Sequence, residues 1–226
     1  MNKNGTIVLL TLTVLSCGGR EKAMAPVLSD ELDTLSYCIG LDLGDYLVRT
    51  NQRLDIRDSL DLETVVAGMR ASLARKPMLN SDSRFEWLRR YFSETLPLKN
   101  QRSAEAFLKR AEKEKKQSVA SGSGLVYEIV KPGNGRHPDG RDVVCVMYEG
   151  RRMDGSLYET TYDTGEFSER PVDSFIQGVQ EGLSLIGEGG IIKLWIPPSL
   201  AFGREGNDYV GPNQALYYYL ELVYIE

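Results

Sequence analysis

The sequence predicts an α+β fold in which an all-α first half precedes an antiparallel β-sheet wrapped around one short helix. Up to about residue 111, apolar residues recur every three or four positions, as on one face of a helix. After Gly124 they occur in short runs of β-branched and aromatic residues, which are typical of strands. The serine and glycine run over 121–124 separates the two patterns. A chain of 226 residues is long enough for both halves to be domains.

The helical half is expected over residues 29–118. Its first helix follows Ser29 and Asp30, which can cap it, and carries apolar residues from Leu32 to Leu47. Further helices are predicted over 62–73, around 85–92 and from 99 to 116. The last of these ends in a run of Lys and Glu, which indicates a solvated connector.

Small residues recur on one face of the first predicted helix. Ser36, Gly40 and Gly44 stand four positions apart, so they form one ridge. Each interior glycine costs about 1 kcal/mol relative to alanine in a helix. The ridge therefore predicts the close approach of a second helix.

The second half, over residues 119–226, alternates strands with tight turns. Asp154-Gly155 is a typical hairpin turn. One short helix is predicted over 176–185, because apolar residues return there to helical spacing before a glycine-rich stop. The predicted strands cover 125–130, 143–148, 191–196 and 216–224.

The first residues indicate export. Residues 1–16 read as a signal peptide, since the apolar run Ile7–Leu15 is too short to span a bilayer. The segment Val14-Leu15-Ser16-Cys17 resembles the lipobox of bacterial lipoproteins. That resemblance implies a diacylated Cys17, a tether over 17–28 and attachment to the cell envelope. The alternative is a cleaved secretory leader without a lipid.

Composition argues against other classes of function. The net charge of −5, from 27 Lys and Arg against 32 Asp and Glu, lacks the basic excess that nucleic acid binding requires. One histidine, His137, and three cysteines are few ligands for a zinc site. We expect no metal and no cofactor, and we expect Cys38 and Cys145 to be buried, reduced thiols, with a disulfide between them as the alternative.

An ordered series of short motifs runs through the second half. It includes Ser123-Gly124-Leu125, Gly133-Asn-Gly135, Tyr148-Glu-Gly150, Tyr158-Glu159-Thr160, Phe175-Ile176-Gln-Gly178, Gly187-Glu-Gly189-Gly190, Ile196-Pro197, Leu200-Ala-Phe-Gly203 and Pro212-Asn213. In order and spacing, the series resembles the FKBP-type peptidyl-prolyl isomerase domain. The resemblance implies the FKBP-like sheet and the isomerisation of bonds that precede proline.

The first half carries a second resemblance. Ser36–Gly44, Val66–Met69 and Phe107-Leu108 are similar to the helical domain of the macrophage-infectivity-potentiator-type isomerases. This implies a dimerisation domain that intertwines with its copy in a homodimer. A helix of the same chain would satisfy the small-residue ridge equally well.

Peptidyl-prolyl isomerisation needs no nucleophile, metal or acid and base pair. The amide barrier is about 18 to 20 kcal/mol, and a dry apolar pocket that prefers the twisted amide lowers it. The family resemblance implies two sets of site residues. The catalytic set is Tyr148, Glu159, Ile176 through its backbone N–H, and Tyr218; the substrate-binding set is Tyr158, Phe175, Val179, Phe202 and Val210.

Four positions depart from the family's usual residues. Val179 stands where the pocket floor usually has tryptophan, and Arg170 where an aromatic residue is often found. Glu159 replaces aspartate, and Phe202 replaces tyrosine. Because of these departures, two hypotheses about function stay open, and a structural envelope lipoprotein is a third. The chain is either an isomerase that assists the folding of exported, proline-containing polypeptides, or a non-catalytic chaperone or peptide-binding module with the same fold.

Overall fold

The computed structural model describes residues 27–54, 60–115 and 122–226. The predicted leader, Cys17 and the predicted boundary between residues 118 and 119 lie outside these ranges. No helix of the described ranges has the length and apolar character needed to cross a membrane.

The described part of the first half contains four α-helices, as the sequence predicts. They are α1 (Glu31–Leu54), α2 (Leu62–Leu73), α3 (Ser81–Arg90) and α4 (Leu96–Lys115). Three of them begin at a polar cap: the side chains of Asp30, Asp61 and Asn80 accept from the N–H groups of Asp33 at 2.8 Å, Thr64 at 3.1 Å and Ser83 at 2.8 Å.

The third and fourth helices are continuous, whereas the sequence predicts a separate helix from Lys99. A π-helical turn over Tyr91–Thr95 joins them, and within it the Leu96 N–H donates to the Tyr91 carbonyl five residues back. Pro97 explains the wide turn, because it has no N–H for the Ser93 carbonyl and its ring would collide with that oxygen in a regular helix.

The chain divides into two compact units, one up to Leu43 and one from Gly44. In the first unit the apolar side chains of α1 are exposed, including Leu32 at 69% and Ile39 at 52%. Cys38 is exposed as well, so the prediction of a buried thiol is wrong there, while Cys145 on the sheet is buried and free.

The second half is an antiparallel sheet in the order β1-β5-β6-β2-β3, with β4 paired to the first half of β2. Its strands are β1 (Val126–Lys131), β2 (Val143–Arg152), β3 (Leu157–Thr160), β4 (Ser168–Pro171), β5 (Gly190–Ile196) and β6 (Leu216–Ile225). The predicted turn at Asp154-Gly155 joins β2 to β3, and Gly155 takes a φ of 83° there. The predicted α+β fold is confirmed.

The short helix α5 (Gln177–Leu183) packs directly on the sheet. A Cβ on Gly178 would lie 2.3 Å from a methyl carbon of Ile196, and one on Gly182 would lie 2.5 Å from a methyl carbon of Leu194. Only glycine allows this approach, and it sets the position of the chain that enters α5 at Ile176.

The loop between β5 and β6 is held by the helices. The Asn100 side chain donates to the Pro212 carbonyl at 2.8 Å, and the Arg53 guanidinium donates to the Asn207 carbonyl at 3.0 Å. This loop carries Val210, one of the predicted site residues.

Candidate functional site

The nine predicted site residues lie on or beside one core of the second half, and contacts join five of them directly: Tyr148, Tyr158, Glu159, Phe175 and Tyr218. Tyr148 lies on β2, Tyr158 and Glu159 on β3, Phe175 and Ile176 before α5, Val179 in α5, Phe202 and Val210 in the loop after β5, and Tyr218 on β6. All eight apolar or aromatic members belong to the main core or pack against it. We call the rings of Tyr148, Tyr158, Phe175 and Tyr218 the ring cluster.

A β-bulge in β3 places the side chains of Tyr158 and Glu159 close to each other. Gly150 pairs with Glu159 and Arg151 pairs with Leu157, so Tyr158 is an extra residue in β3. The two residues of a bulge can project to one side of a sheet, which ordinary alternation forbids. Here both side chains lie over Gly150.

Gly150 leaves the space that these side chains use. A Cβ at this position would lie 2.9 Å from a ring carbon of Tyr158 and 3.0 Å from the Cγ of Glu159. On its other side Gly150 pairs with Tyr218 of β6. The missing side chain therefore lets groups on β3 reach across β2 to β6.

A chain of hydrogen bonds makes that connection. The Tyr158 hydroxyl bonds to the Tyr218 hydroxyl, which donates to the carboxylate of Glu159. Burial raises the pKa of both tyrosines well above the ordinary value, so both are protonated at neutral pH. Because the carboxylate can only accept, the donor order is Tyr158 to Tyr218 to Glu159.

The four rings meet at angles typical of aromatic packing. Tyr148 and Phe175 are edge to face, with centroids 6.3 Å apart, and so are Tyr158 and Tyr218 at 6.2 Å. Tyr148 and Tyr218 are tilted at 37° and 5.9 Å apart. Burial also raises the pKa of Tyr148. The neighbours Tyr217 and Tyr219 alternate to the other face of β6.

Exposure divides the predicted residues into two groups. Tyr158, Ile176 and Phe202 are partly exposed and supply accessible surface. Val179 and Val210 are 0% exposed and offer no surface to a substrate in this conformation, and Tyr148, Phe175 and Tyr218 are buried as well, at 8%, 6% and 3% exposure. The role of Val179 and Val210 as direct substrate contacts stays a prediction.

Ile176 presents an unused backbone donor beside the rings. It is the N-cap of α5, with φ −60° and ψ 148°, and its carbonyl accepts from the N–H of Val179 at 2.9 Å. Its own N–H bonds to nothing in the part of the chain that the structure describes. An unused donor next to a hydrophobic surface suits a substrate carbonyl.

Sequence reasoning missed Arg152 at this site, and it named Arg170 only as a departure from the family's usual aromatic residue. Arg152 is buried at 8% exposure, and it donates to the Tyr209 carbonyl at 2.8 Å with its guanidinium carbon 5.6 Å from the Tyr158 ring centroid. Arg170 lies over Phe175, with the guanidinium carbon 3.8 Å from that ring's centroid. Strand alternation in β2 was a signal that could have found Arg152, since it shares the inward face with Tyr148.

The chemistry available here is binding and desolvation. The one carboxylate of the site, that of Glu159, accepts from Tyr218. Among the described residues, no three His, Cys, Asp or Glu side chains are grouped so that they could hold a metal ion. Rings, a backbone donor and protonated hydroxyls are suited to holding an amide and a saturated ring out of water.

Two sequence families match this chain. The family described as FKBP-type peptidyl-prolyl cis-trans isomerase matches residues 134–223. The family described as the domain amino terminal to FKBP-type peptidyl-prolyl isomerase matches residues 32–129. Between them they cover the described part of both halves almost completely.

Individual proteins match over most of their length. The chain is 33% identical to FKBP-type peptidyl-prolyl cis-trans isomerase FkpA of Escherichia coli over 202 residues, which is 83% of this chain and 73% of that protein. It is 30% identical to peptidyl-prolyl cis-trans isomerase Mip of Coxiella burnetii over 226 residues, covering 96% and 98%. The crystal structure of Escherichia coli FkpA superposes with a TM-score of 0.57 at 29% identity, covering 88% of this chain and 99% of that one.

Proposed function

This chain belongs to the FKBP-type peptidyl-prolyl cis-trans isomerases, and we propose that its ring cluster receives a prolyl side chain and eases rotation about the bond before it. Its substrates in this proposal are proline-containing polypeptides that fold after export. The observation that carries the proposal is the meeting of four rings beside the unused N–H of Ile176.

Amide resonance limits the rate of peptidyl-prolyl isomerisation. Rotation breaks amide resonance, and the twisted amide has a smaller charge separation than the planar one. A site that removes water from the amide therefore disfavours the planar state more than the twisted one. In the proposed binding mode, the Ile176 N–H holds a substrate carbonyl while the rings contact the prolyl ring. Glu159 keeps the Tyr218 hydroxyl in place and exchanges no proton.

Replacing Ile176 by proline removes the proposed N–H donor and requires little change in the backbone conformation. The φ of −60° already suits proline, and the extended Phe175, at ψ 163°, suits the residue before one. We expect kcat/KM for a Leu-Pro peptide to fall about fivefold to tenfold, the value of one neutral hydrogen bond. Magnetisation-exchange NMR on the full chain measures this rate.

The matched control is Ile176→Val, which keeps the N–H and is expected to keep most of the rate. Equal rates for the two variants would remove Ile176 from the mechanism. If the folded wild-type chain accelerates no Xaa-Pro peptide, the ring cluster is a binding surface only, and the chain acts as a non-catalytic chaperone.

We also propose that α1 forms a homodimer through its small-residue ridge. Apart from the chain neighbours and the backbone of α1 itself, no described heavy atom lies within 4 Å of a Cβ built at Gly40 or Gly44, so the ridge has open space above it. Apolar side chains on α1, including Leu35 at 55% exposure, are also uncovered in the single chain. A second copy of α1 would cover both features, as is typical of close helix packing at small residues.

Gly40→Leu tests the ridge. The added side chain should block close approach and weaken the dimer at least a hundredfold, which sedimentation equilibrium measures. Asp42→Leu is the control, because position 42 lies about 200° around the same helix and is also exposed. An unchanged dimer in Gly40→Leu would exclude the ridge as the contact.

For location, we propose the bacterial envelope, with Cys17 as the lipid attachment point. The relatives support this: one that is 29% identical over 214 residues, from Legionella longbeachae, bears the name outer membrane protein MIP. Cells fed labelled palmitate should label the wild-type protein, and Cys17→Ser should lose both the label and membrane sedimentation. A Cys17→Ser protein that stays in the membrane fraction would contradict a lipid anchor.

A further inference from the structure

Arg170 occupies a place in the site that the reaction itself does not require. It lies on β4 opposite Val144, and its guanidinium covers the ring of Phe175 at 3.8 Å from the centroid. The same group is 5.8 Å from the centroid of Tyr148, and its Nη2 is 3.4 Å from the hydroxyl of that residue. A positive charge thus sits on one wall of the ring cluster.

The hydrogen-bonding capacity of this guanidinium is largely unused. Its Nε is buried and has no hydrogen-bond partner among the residues that the structure describes. The contact with Tyr148 is long for a hydrogen bond, and Arg170 forms no ion pair with any carboxylate in the described part of the chain. The carboxylate of Glu159 accepts from Tyr218. Buried donors are nearly always bonded, so an unused one in a binding site indicates a missing acceptor.

We propose that Arg170 is a specificity-determining residue that favours substrates with a carboxylate beside the proline. The inference rests on the proposed function, because it assigns the preference of that same site. A guanidinium presents parallel N–H donors that match the two oxygens of a carboxylate, and the match is stronger where water is partly excluded.

The position over Phe175 gives the preference its physical cause. A prolyl ring that uses the face of Phe175 must displace the guanidinium and lose its contact with the ring. An acidic side chain next to the proline gives the displaced guanidinium a new partner, whereas a neutral side chain does not. Acidic substrates should therefore bind productively where isosteric neutral ones bind poorly.

The test compares Glu with Gln, which have the same shape, at the position before proline and at the position after it. We expect the full wild-type chain to show about tenfold higher kcat/KM for one of the two Glu peptides, measured by magnetisation-exchange NMR. Arg170→Gln should bring that ratio to about one, and Arg170→Lys should keep part of it. Arg151→Gln is the control, since Arg151 already pairs with Glu149 and should leave the ratio unchanged.

A second readout uses the wild type alone. The ratio of kcat/KM for the Glu peptide to that for the Gln peptide should fall as the sodium chloride concentration is raised, because salt screens an ion pair.

The proposal is overturned if the wild type shows equal kcat/KM for Glu and Gln at both positions, or if the preference for Glu survives Arg170→Gln. It is also overturned if Arg170→Gln speeds Glu and Gln peptides equally, since Arg170 would then only obstruct the site. If the Gln and Leu peptides are accelerated without a preference for Glu, the proposed function stands and only the role of Arg170 fails; if no peptide is accelerated, both fail.

Discussion

The site depends on the absence of a side chain at Gly150. This residue lies between Glu159 of β3 and Tyr218 of β6 in the sheet, and the bulge at Tyr158 adds a second side chain on the same side. Three polar groups then meet above one glycine and satisfy one another. A Cβ in that space would lie 2.9 Å from a ring carbon of Tyr158 and 3.0 Å from the Cγ of Glu159, so both side chains would have to shift, and the hydrogen bonds between the three groups would be disturbed.

The tyrosine hydroxyls bond to each other and to Glu159, so the surface of the ring cluster is hydrophobic although it contains polar groups. Protonated tyrosines whose polar atoms bond to each other and to Glu159 present ring surface to whatever lies beside them. The remaining polar groups have different consequences: the unused N–H of Ile176 can hold a substrate carbonyl, and Arg170 can hold a charge. The hydrogen-bonded hydroxyls fix the positions of the rings. The N–H of Ile176 then determines how a substrate lies on the ring cluster, and Arg170 determines which substrate is preferred.

Much of the architecture could be predicted because it follows from local patterns. Helical spacing located α2, the composition of the strands located β2 and β6, and Asp154-Gly155 located the turn. The π-helical turn was missed because the effect of Pro97 reaches back to a carbonyl four residues earlier. Burial of Cys38 was predicted from its apolar neighbours in sequence, but neighbours in sequence do not determine what covers a helix face.

The site residues were predictable as a set only through resemblance, since no local pattern brings β2, β3 and β6 to one place. Even so, resemblance could not show that Val179 and Val210 are wholly buried, because burial depends on which side chains pack over them. The bulge at Tyr158 and the contact of Arg170 with Phe175 depend on the register of strand pairs, which alternation alone leaves undetermined.

The most direct test of the central claim is to locate a bound proline. Intermolecular nuclear Overhauser effects between the ring protons of an Ala-Leu-Pro-Phe peptide and the full chain report which side chains it contacts. We expect effects to Tyr158, Ile176 and Phe202, and we expect them to be lost in a folded Gly150→Ala variant. A peptide that binds with effects only to the helical half, or equally in Gly150→Ala, would contradict it.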